Sequence, residues 1–299
     1  MAMFNSIIHD IKSVRIQGAE NVAKAGAKAL LIGASQYKEN KGKHFNFIIE
    51  RIKNEILRTR PTEPMLRNTL KFLTLRLDCF DKPFLELKER EEKFDSHLEQ
   101  SSKKISMIGC KKIKNGDIIF THCHSSAVIN ILKAAKKEGK RFSVHNTETR
   151  PLFQGRITAR ELVHAGIPVT HYIAEAARLA LKKADIMLIG ADAITSEGKV
   201  INKIGSELFA ETAERFNVPV YVCSNSWKFD PLSVFGYDEE IEMRPAKEVW
   251  PTAPKGVKID NFAFEKVDSD LIAGIISELG VYKPEVFVEE VKKAYPWLF

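Results

Sequence analysis

Between residues 117 and 223 the chain alternates short apolar runs with helix-forming stretches, and this rhythm constrains the fold more than any other feature. Asp117-Ile118-Ile119-Phe120 reads as a strand and Ser125 to Lys137 as a helix. Phe142-Ser143-Val144-His145 is the next strand, Ile157 to His164 the next helix, and Ile167-Pro168-Val169-Thr170-His171 leads into a third strand. Ala174 to Lys183 is helical, Ala184 to Ile189 is an apolar run of strand length, Glu207 to Phe216 is a helix, and Pro219 to Cys223 is a strand. Strands that alternate with helices pair in parallel, because only a crossover helix returns the chain to the same sheet edge. The pattern predicts a Rossmann-like parallel sheet covered on both faces, over residues 113–299.

Residues 1–112 carry a different pattern. Val22 to Leu31 is rich in small helix formers, and Phe45, Ile48, Ile49, Ile52, Ile56 and Leu57 recur at helical spacing. Pro61 and Pro64 interrupt, a third helix follows through Leu66, Leu70 and Leu77, and Pro83 opens a long charged one. The expected architecture is a helical N-terminal domain followed by the α/β domain. After about residue 230 come Pro231, Pro245, Pro251 and Pro254, then two expected closing helices near 268–279 and 284–295.

The 299 residues are 44% hydrophobic and 28% charged, a globular mixture. No apolar run approaches the ~18 residues of a membrane span, and no secretory signal is visible at the start, so a cytoplasmic protein is expected. The net charge is +7, which favours anionic partners. The basic residues are scattered without an aromatic–basic stripe, so nucleic-acid binding is not expected. Cys79, Cys110, Cys123 and Cys223 form no C-x-x-C pair and read as thiols, three of them as buried small hydrophobes.

The chemistry is concentrated at strand ends. Open α/β sheets bind ligands beyond the carboxyl ends of their strands. Asp192 follows Gly190-Ala191 at one such end, and Asn202-Lys203-Ile204-Gly205 reads as a turn at the entrance of the next helix, where a cation and free N–H groups suit a phosphate. Cys123, in Thr121-His122-Cys123-His124-Ser125-Ser126, lies at another end, before a helix whose field lowers a thiol pKa. Ser125 and Ser126 can cap that helix or bind phosphate. Neighbouring strand residues face opposite ways, so His122, Cys123 and His124 do not read as a metal site. Lys228 follows a third strand, Arg150 precedes Pro151 where it can meet phosphate or pair with Glu148 or a neighbouring loop, and Arg60 and Gly18-Ala19 lie in a Pro-rich turn and at a helix start.

In this order, Ile16-Gln17-Gly18-Ala19, Thr59-Arg60-Pro61-Thr62, Thr121 to Ser125, Thr147-Glu148-Thr149-Arg150-Pro151 and the block 190–205 resemble one superfamily. It comprises the α, β and δ subunits of initiation factor 2B, methylthioribose-1-phosphate isomerase and archaeal ribose-1,5-bisphosphate isomerase. The resemblance implies catalytic roles for Cys123 and Asp192, and substrate contacts for Gly18, Ala19, Arg60, Ser125, Ser126, Asn202, Lys203 and Lys228. The Thr-Arg-Pro-Thr segment resembles the ribose bisphosphate branch most. That branch implies an aldose–ketose isomerase in AMP salvage, with a thiolate base, a protonated carboxyl, and no metal or organic cofactor. The resemblance further implies a homo-oligomer, dimer or hexamer, and leaves room for AMP as an effector. Gln17, Glu20 and His124 depart from the bisphosphate pattern. A non-catalytic regulatory subunit and a methylthioribose-1-phosphate isomerase therefore stand as alternatives.

Overall fold

The computed structural model describes residues 2–238 and 240–299. Five helices come first: α1 (Ala2–Lys12), α2 (Ala19–Ser35), α3 (Gly42–Leu57), α4 (Pro64–Thr74) and α5 (Pro83–Gly109). The Ala-rich α2 sits centrally, packed on α1, α3, α4 and α5, since its small side chains let neighbouring backbones approach. Leu30, Phe45, Ile49, Ile56, Leu66, Leu70 and Phe94 form the fully buried centre of this cluster. Pro64 and Pro83 each occupy the first turn of a helix, where the missing N–H has no partner to lose. Trp227, from the later part of the chain, inserts into the same cluster, with Tyr295 and Trp297 packed beside it.

The α/β part begins with β1 (Ile118–Thr121), α6 (Ser126–Lys137), β2 (Ser143–Thr147), α7 (Gln154–His164), β3 (Val169–Tyr172), α8 (Ala177–Leu181) and β4 (Ile186–Ile189). A short excursion, β5 (Ala193–Ile194) and β6 (Val200–Lys203), precedes α9 (Ser206–Arg215) and β7 (Val220–Cys223). After an irregular stretch come β8 (Phe264–Val267), β9 (Gly274–Ser277), β10 (Gly280–Tyr282) and α10 (Pro284–Ala294). Seven strands make the main sheet in the order β10-β9-β7-β4-β1-β2-β3, parallel except for β10. All four residues of β4 are buried, as a central strand covered on both faces must be.

Two expectations are corrected. No helix forms over 268–279: that segment is a 3-10 turn followed by β9, which adds to the sheet edge beside β7, while the second closing helix is present as α10. Ile272, Ile275 and Ile276 are β-branched and buried, and pairing with β7 overrides the helical reading. The block 190–205 is not a simple turn either. β5, β6 and β8 form a small antiparallel sheet, with Asn202 and Lys203 closing β6. Among the described residues, no helix is long and apolar enough to cross a membrane.

Candidate active site

The direction of chain travel reverses between β1 and β4, which are neighbours in the sheet. A crevice opens at such a switch point, because the connections leave the sheet on opposite sides. Cys123 follows β1 and Asp192 follows β4, so both stand at that crevice. Gly190 makes the approach close: a Cβ there would lie 2.7 Å from Ser125 Oγ and 2.9 Å from Ser125 Cβ. The crevice opens into a cleft of about 510 Å³, a volume suited to a small phosphorylated molecule. Cys123, Asp192, Gly18, Ala19, Arg60, Ser125, Ser126, Asn202, Lys203 and Lys228 all line it, so every site residue read from the sequence comes to one place.

Cys123 has φ +64°, a left-handed conformation that costs a non-glycine residue about 1–3 kcal/mol. Hydrogen bonds from both sides hold it there. Its N–H donates to Thr149 Oγ1 at 3.0 Å, and Thr158 Oγ1 donates to its carbonyl at 2.8 Å. His122 is buried and does not line the cleft. Its ring lies 2.6 Å from Thr147 Oγ1 and 2.9 Å from the Ile204 carbonyl, joining the β1 end to the turn after β6. His124 meets Thr158 Oγ1 at 3.1 Å, so the three neighbours point apart. Burial lowers His122 to about 4, despite its bond to Ile204, leaving it neutral; Nε2–H therefore donates to Ile204, and Thr147 donates to Nδ1.

The thiol itself differs from the sequence expectation. Burial pushes Cys123 from 9.0 up to about 11; the Lys203 charge and the His124 N–H pull it down, and the Asp192 charge adds to the rise. The helix field is outweighed because Cys123, half-buried on the cleft wall before the first turn of α6, is surrounded mostly by protein. Burial likewise raises the Asp192 carboxyl, against Lys228, Lys203 and Arg60 and with Glu242. Lys228 Nζ donates to the Ala191 carbonyl at 2.7 Å, and Lys203 Nζ sits 4.6 Å from the Phe264 ring. Asn202 donates to Ser206 Oγ at 3.0 Å, and Ser125 caps α6 through a long 3.5 Å bond from the Val128 N–H. Gln17 turns its amide back onto the Val14 carbonyl at 3.1 Å, whereas Arg15, two residues earlier, also lines the cleft.

A string of ion pairs along the cleft was missed by sequence reasoning. Arg60 Nη2 meets Glu63 Oε1 at 2.8 Å and Glu242 Oε2 at 3.0 Å. Arg244 continues it, at 3.2 Å from Glu242 Oε1 and 2.5 Å from Glu248 Oε1. Arg60 and Glu63 lie at i,i+3, a signal that was readable; Glu242, Arg244 and Glu248 come from the irregular stretch and had none. Arg150 also lines the cleft and donates to the Val249 carbonyl at 3.4 Å, while Glu148 pairs with Arg156 at 3.6 Å. Of the other cysteines, Cys110 and Cys223 are buried as expected, but Cys79 is exposed, lying on a 3-10 turn between α4 and α5.

Known proteins share this fold and much of this sequence. A sequence model of the initiation factor 2 subunit family, IF-2B, matches residues 15–284. The ribose 1,5-bisphosphate isomerase of Pyrococcus furiosus is 37% identical, over 98% of this chain and 94% of its own. A methylthioribose-1-phosphate isomerase of Desulforamulus reducens is 32% identical, over 97% and 90%. Among solved structures, the translation initiation factor eIF-2B of Pyrococcus horikoshii OT3 superposes with a TM-score of 0.83 at 31% identity, covering 95% of this chain and 98% of that one. Fold and sequence agree over nearly the whole length, and the chain belongs to the initiation factor 2 subunit family.

Proposed function

We propose that this protein is an aldose–ketose isomerase that converts ribose 1,5-bisphosphate to ribulose 1,5-bisphosphate. The observation that supports this most is that Cys123 and Asp192 share one cation-lined cleft in a chain resembling a ribose 1,5-bisphosphate isomerase from end to end. In this reading the Cys123 thiolate takes the proton from C2. The electron pair forms a C1–C2 double bond, the bond from C1 to the ring oxygen breaks, and Asp192 gives its proton to that oxygen. Asp192, now a carboxylate, takes the proton of the C2 hydroxyl, and the thiol returns its proton to C1. Proton counting thus assigns the return to sulfur, since Asp192 has no proton to give until it recovers one. Lys203, Lys228, Arg60 and the N-terminus of α6 at Ser125 and Ser126 hold the phosphates, with Gly18, Ala19 and Asn202 beside them.

The working form carries sulfur ionised and carboxyl protonated, one proton on the pair. The more populated form, thiol with carboxylate, carries the same number. The rate is then level between the two titrations, rising with pH through the carboxyl and falling only near the thiol's value of about 11. A thiol of such high proton affinity is a stronger base toward carbon, which compensates for its low thiolate population.

A single observation favours a second reading. Gln17 stands where the bisphosphate branch typically carries arginine, and its amide bonds the Val14 carbonyl, so that position offers no guanidinium to a second phosphate, which suits methylthioribose 1-phosphate. We further propose that residues 1–112 and 113–299 are separate domains, and that the protein works in the cytoplasm as a homo-oligomer, dimer or hexamer, with AMP as an effector. Incubation with each sugar phosphate, followed by carbon-13 NMR, tests the function. Formation of ribulose 1,5-bisphosphate that is lost in Cys123→Ser and Asp192→Asn is expected. Turnover of methylthioribose 1-phosphate alone would move the substrate, and turnover of neither would leave a non-catalytic member of the family.

A further inference from the structure

Lys228 lines the cleft from the short 3-10 turn Ser226–Lys228 after β7, and its Nζ donates to the carbonyl of Ala191, the residue before Asp192, at 2.7 Å. A lysine has a flexible stem and a strongly hydrated head, so it keeps such a place only where its backbone is fixed. Part of that fixing comes from the helical part of the chain. Asn68, on α4, is 2% exposed, and its amide nitrogen donates to the Trp227 and Phe229 carbonyls, each at 2.8 Å. These two residues stand on either side of Lys228. An asparagine amide has two N–H donors, and both are used on this one turn.

Contacts around Asn68 act in the same sense. The Trp227 ring packs on Phe72 of the same helix with centroids 5.2 Å apart, and stacks on His97 of α5 at 4.5 Å. Arg67, next to Asn68, meets the fully buried Asp230 at 3.0 Å, and the Asp230 N–H donates to the Ile194 carbonyl of β5 at 2.8 Å. Trp227 is drawn into the helical cluster while Lys228, its neighbour, lines the cleft.

We propose that Asn68 is a positioning residue for Lys228: by bracketing the lysine's backbone from α4, it holds the ammonium group on the Ala191 carbonyl at the cleft. Lys228 is also the foremost charge lowering the Asp192 carboxyl, so a loosened lysine is felt there as well. The kinetic consequences rest on the isomerase reading; the hold on the lysine does not.

The test compares the wild type with Asn68→Ala, with Asn68→Ser, which keeps one donor, and with Leu73→Ala, a control that costs stability on the same helix without touching a hydrogen bond. Ligand-free protein is treated with limiting acetic anhydride, and acetylation of Lys228 is read by mass spectrometry against the exposed Lys258. Lys228 should react at least about fivefold faster in Asn68→Ala than in the wild type, with Asn68→Ser between them and Leu73→Ala unchanged. Should Asn68→Ala not fold, Asn68→Ser decides. An unchanged rate in the Asn68 variants overturns the proposal, and so does an equal rise in Leu73→Ala, which would make the effect one of stability. With ribose 1,5-bisphosphate, Asn68→Ala should lower kcat/KM and move its acid limb to higher pH, as Lys228→Met does. In a Lys228→Met background the same change should lower kcat/KM by less than about twofold, because the residue it acts through is gone. Losses that multiply across the two substitutions overturn the proposal. If the wild type turns over no sugar phosphate, the isomerase reading fails while the acetylation rates still decide the role of Asn68.

Discussion

Removing the charge of Lys203 should make Cys123 less reactive, and the size of the baseline is set by its surroundings. Burial lifts the thiol from 9.0 to about 11, against the pull of Lys203. Two pH units correspond to about 2.7 kcal/mol of added cost for the thiolate. At pH 8 roughly one molecule in a thousand carries it, against roughly one in ten for a free thiol; the more basic thiolate is about tenfold more nucleophilic, so Cys123 should react with iodoacetamide about 10-fold more slowly than glutathione. The assay is carboxamidomethylation of Cys123, followed by mass spectrometry from pH 7 to 11 in a Cys79→Ser background, which removes the exposed competitor. The wild-type rate should still be climbing tenfold per unit at pH 10. Lys203→Met should shift the curve to higher pH, because the largest attraction on the thiolate is gone. A wild-type midpoint at or below 9, or a curve indifferent to Lys203, would refute the reasoning that burial outweighs the helix field and that Lys203 opposes it.

Other consequences are independent. Lys228 is the strongest influence lowering Asp192, so Lys228→Met should move the acid limb of kcat/KM to higher pH while raising KM; a downward shift would contradict it. Gly190→Ala forces a Cβ against Ser125 and should cost about 1–3 kcal/mol in urea unfolding, with a larger loss of kcat/KM than of stability; wild-type behaviour in both would show that β1 and β4 do not meet so closely. Burial lowers His97 to about 4, and its ring stacks on Trp227 with centroids 4.5 Å apart. Its folded value lies below the unfolded 6.5, so the unfolded chain binds the extra proton, and this stability is present above pH 6.5 and lost as pH falls toward 4. His97→Phe should therefore lose about 1–2 kcal/mol less than the wild type between pH 7 and pH 5, measured by urea midpoints.

The sequence carried the crossover rhythm because β1, β4 and β7 are apolar and bounded by turns, and local pattern suffices for such strands. It did not reveal β9, where pairing with β7 decides a short apolar segment that also fits a helix. Nor did it reveal β5, β6 and β8, since the partner of β6 arrives more than 60 residues later. The site was legible where residues stand at strand ends: Cys123, Asp192 and Lys228 are fixed relative to one another by the sheet. Arg60, Gly18 and Ala19 reach the cleft through helix packing, and only the family resemblance pointed to them. Glu242, Arg244 and Glu248 had neither kind of signal. The thiol's proton affinity was misjudged because a helix field can be read from the chain, while the burial that outweighs it cannot.

The claim that a thiol and a carboxyl move a proton between neighbouring sugar carbons is tested most directly by isotope. Ribose 1,5-bisphosphate deuterated at C2 should turn over more slowly than the protiated sugar. In ordinary water the label should pass to C1, diluted only as far as the thiol exchanges with solvent before the return, and Cys123→Ser should show no turnover. Turnover by Cys123→Ser with full transfer of deuterium from C2 to C1, as a direct hydrogen shift between the carbons would give, would contradict it.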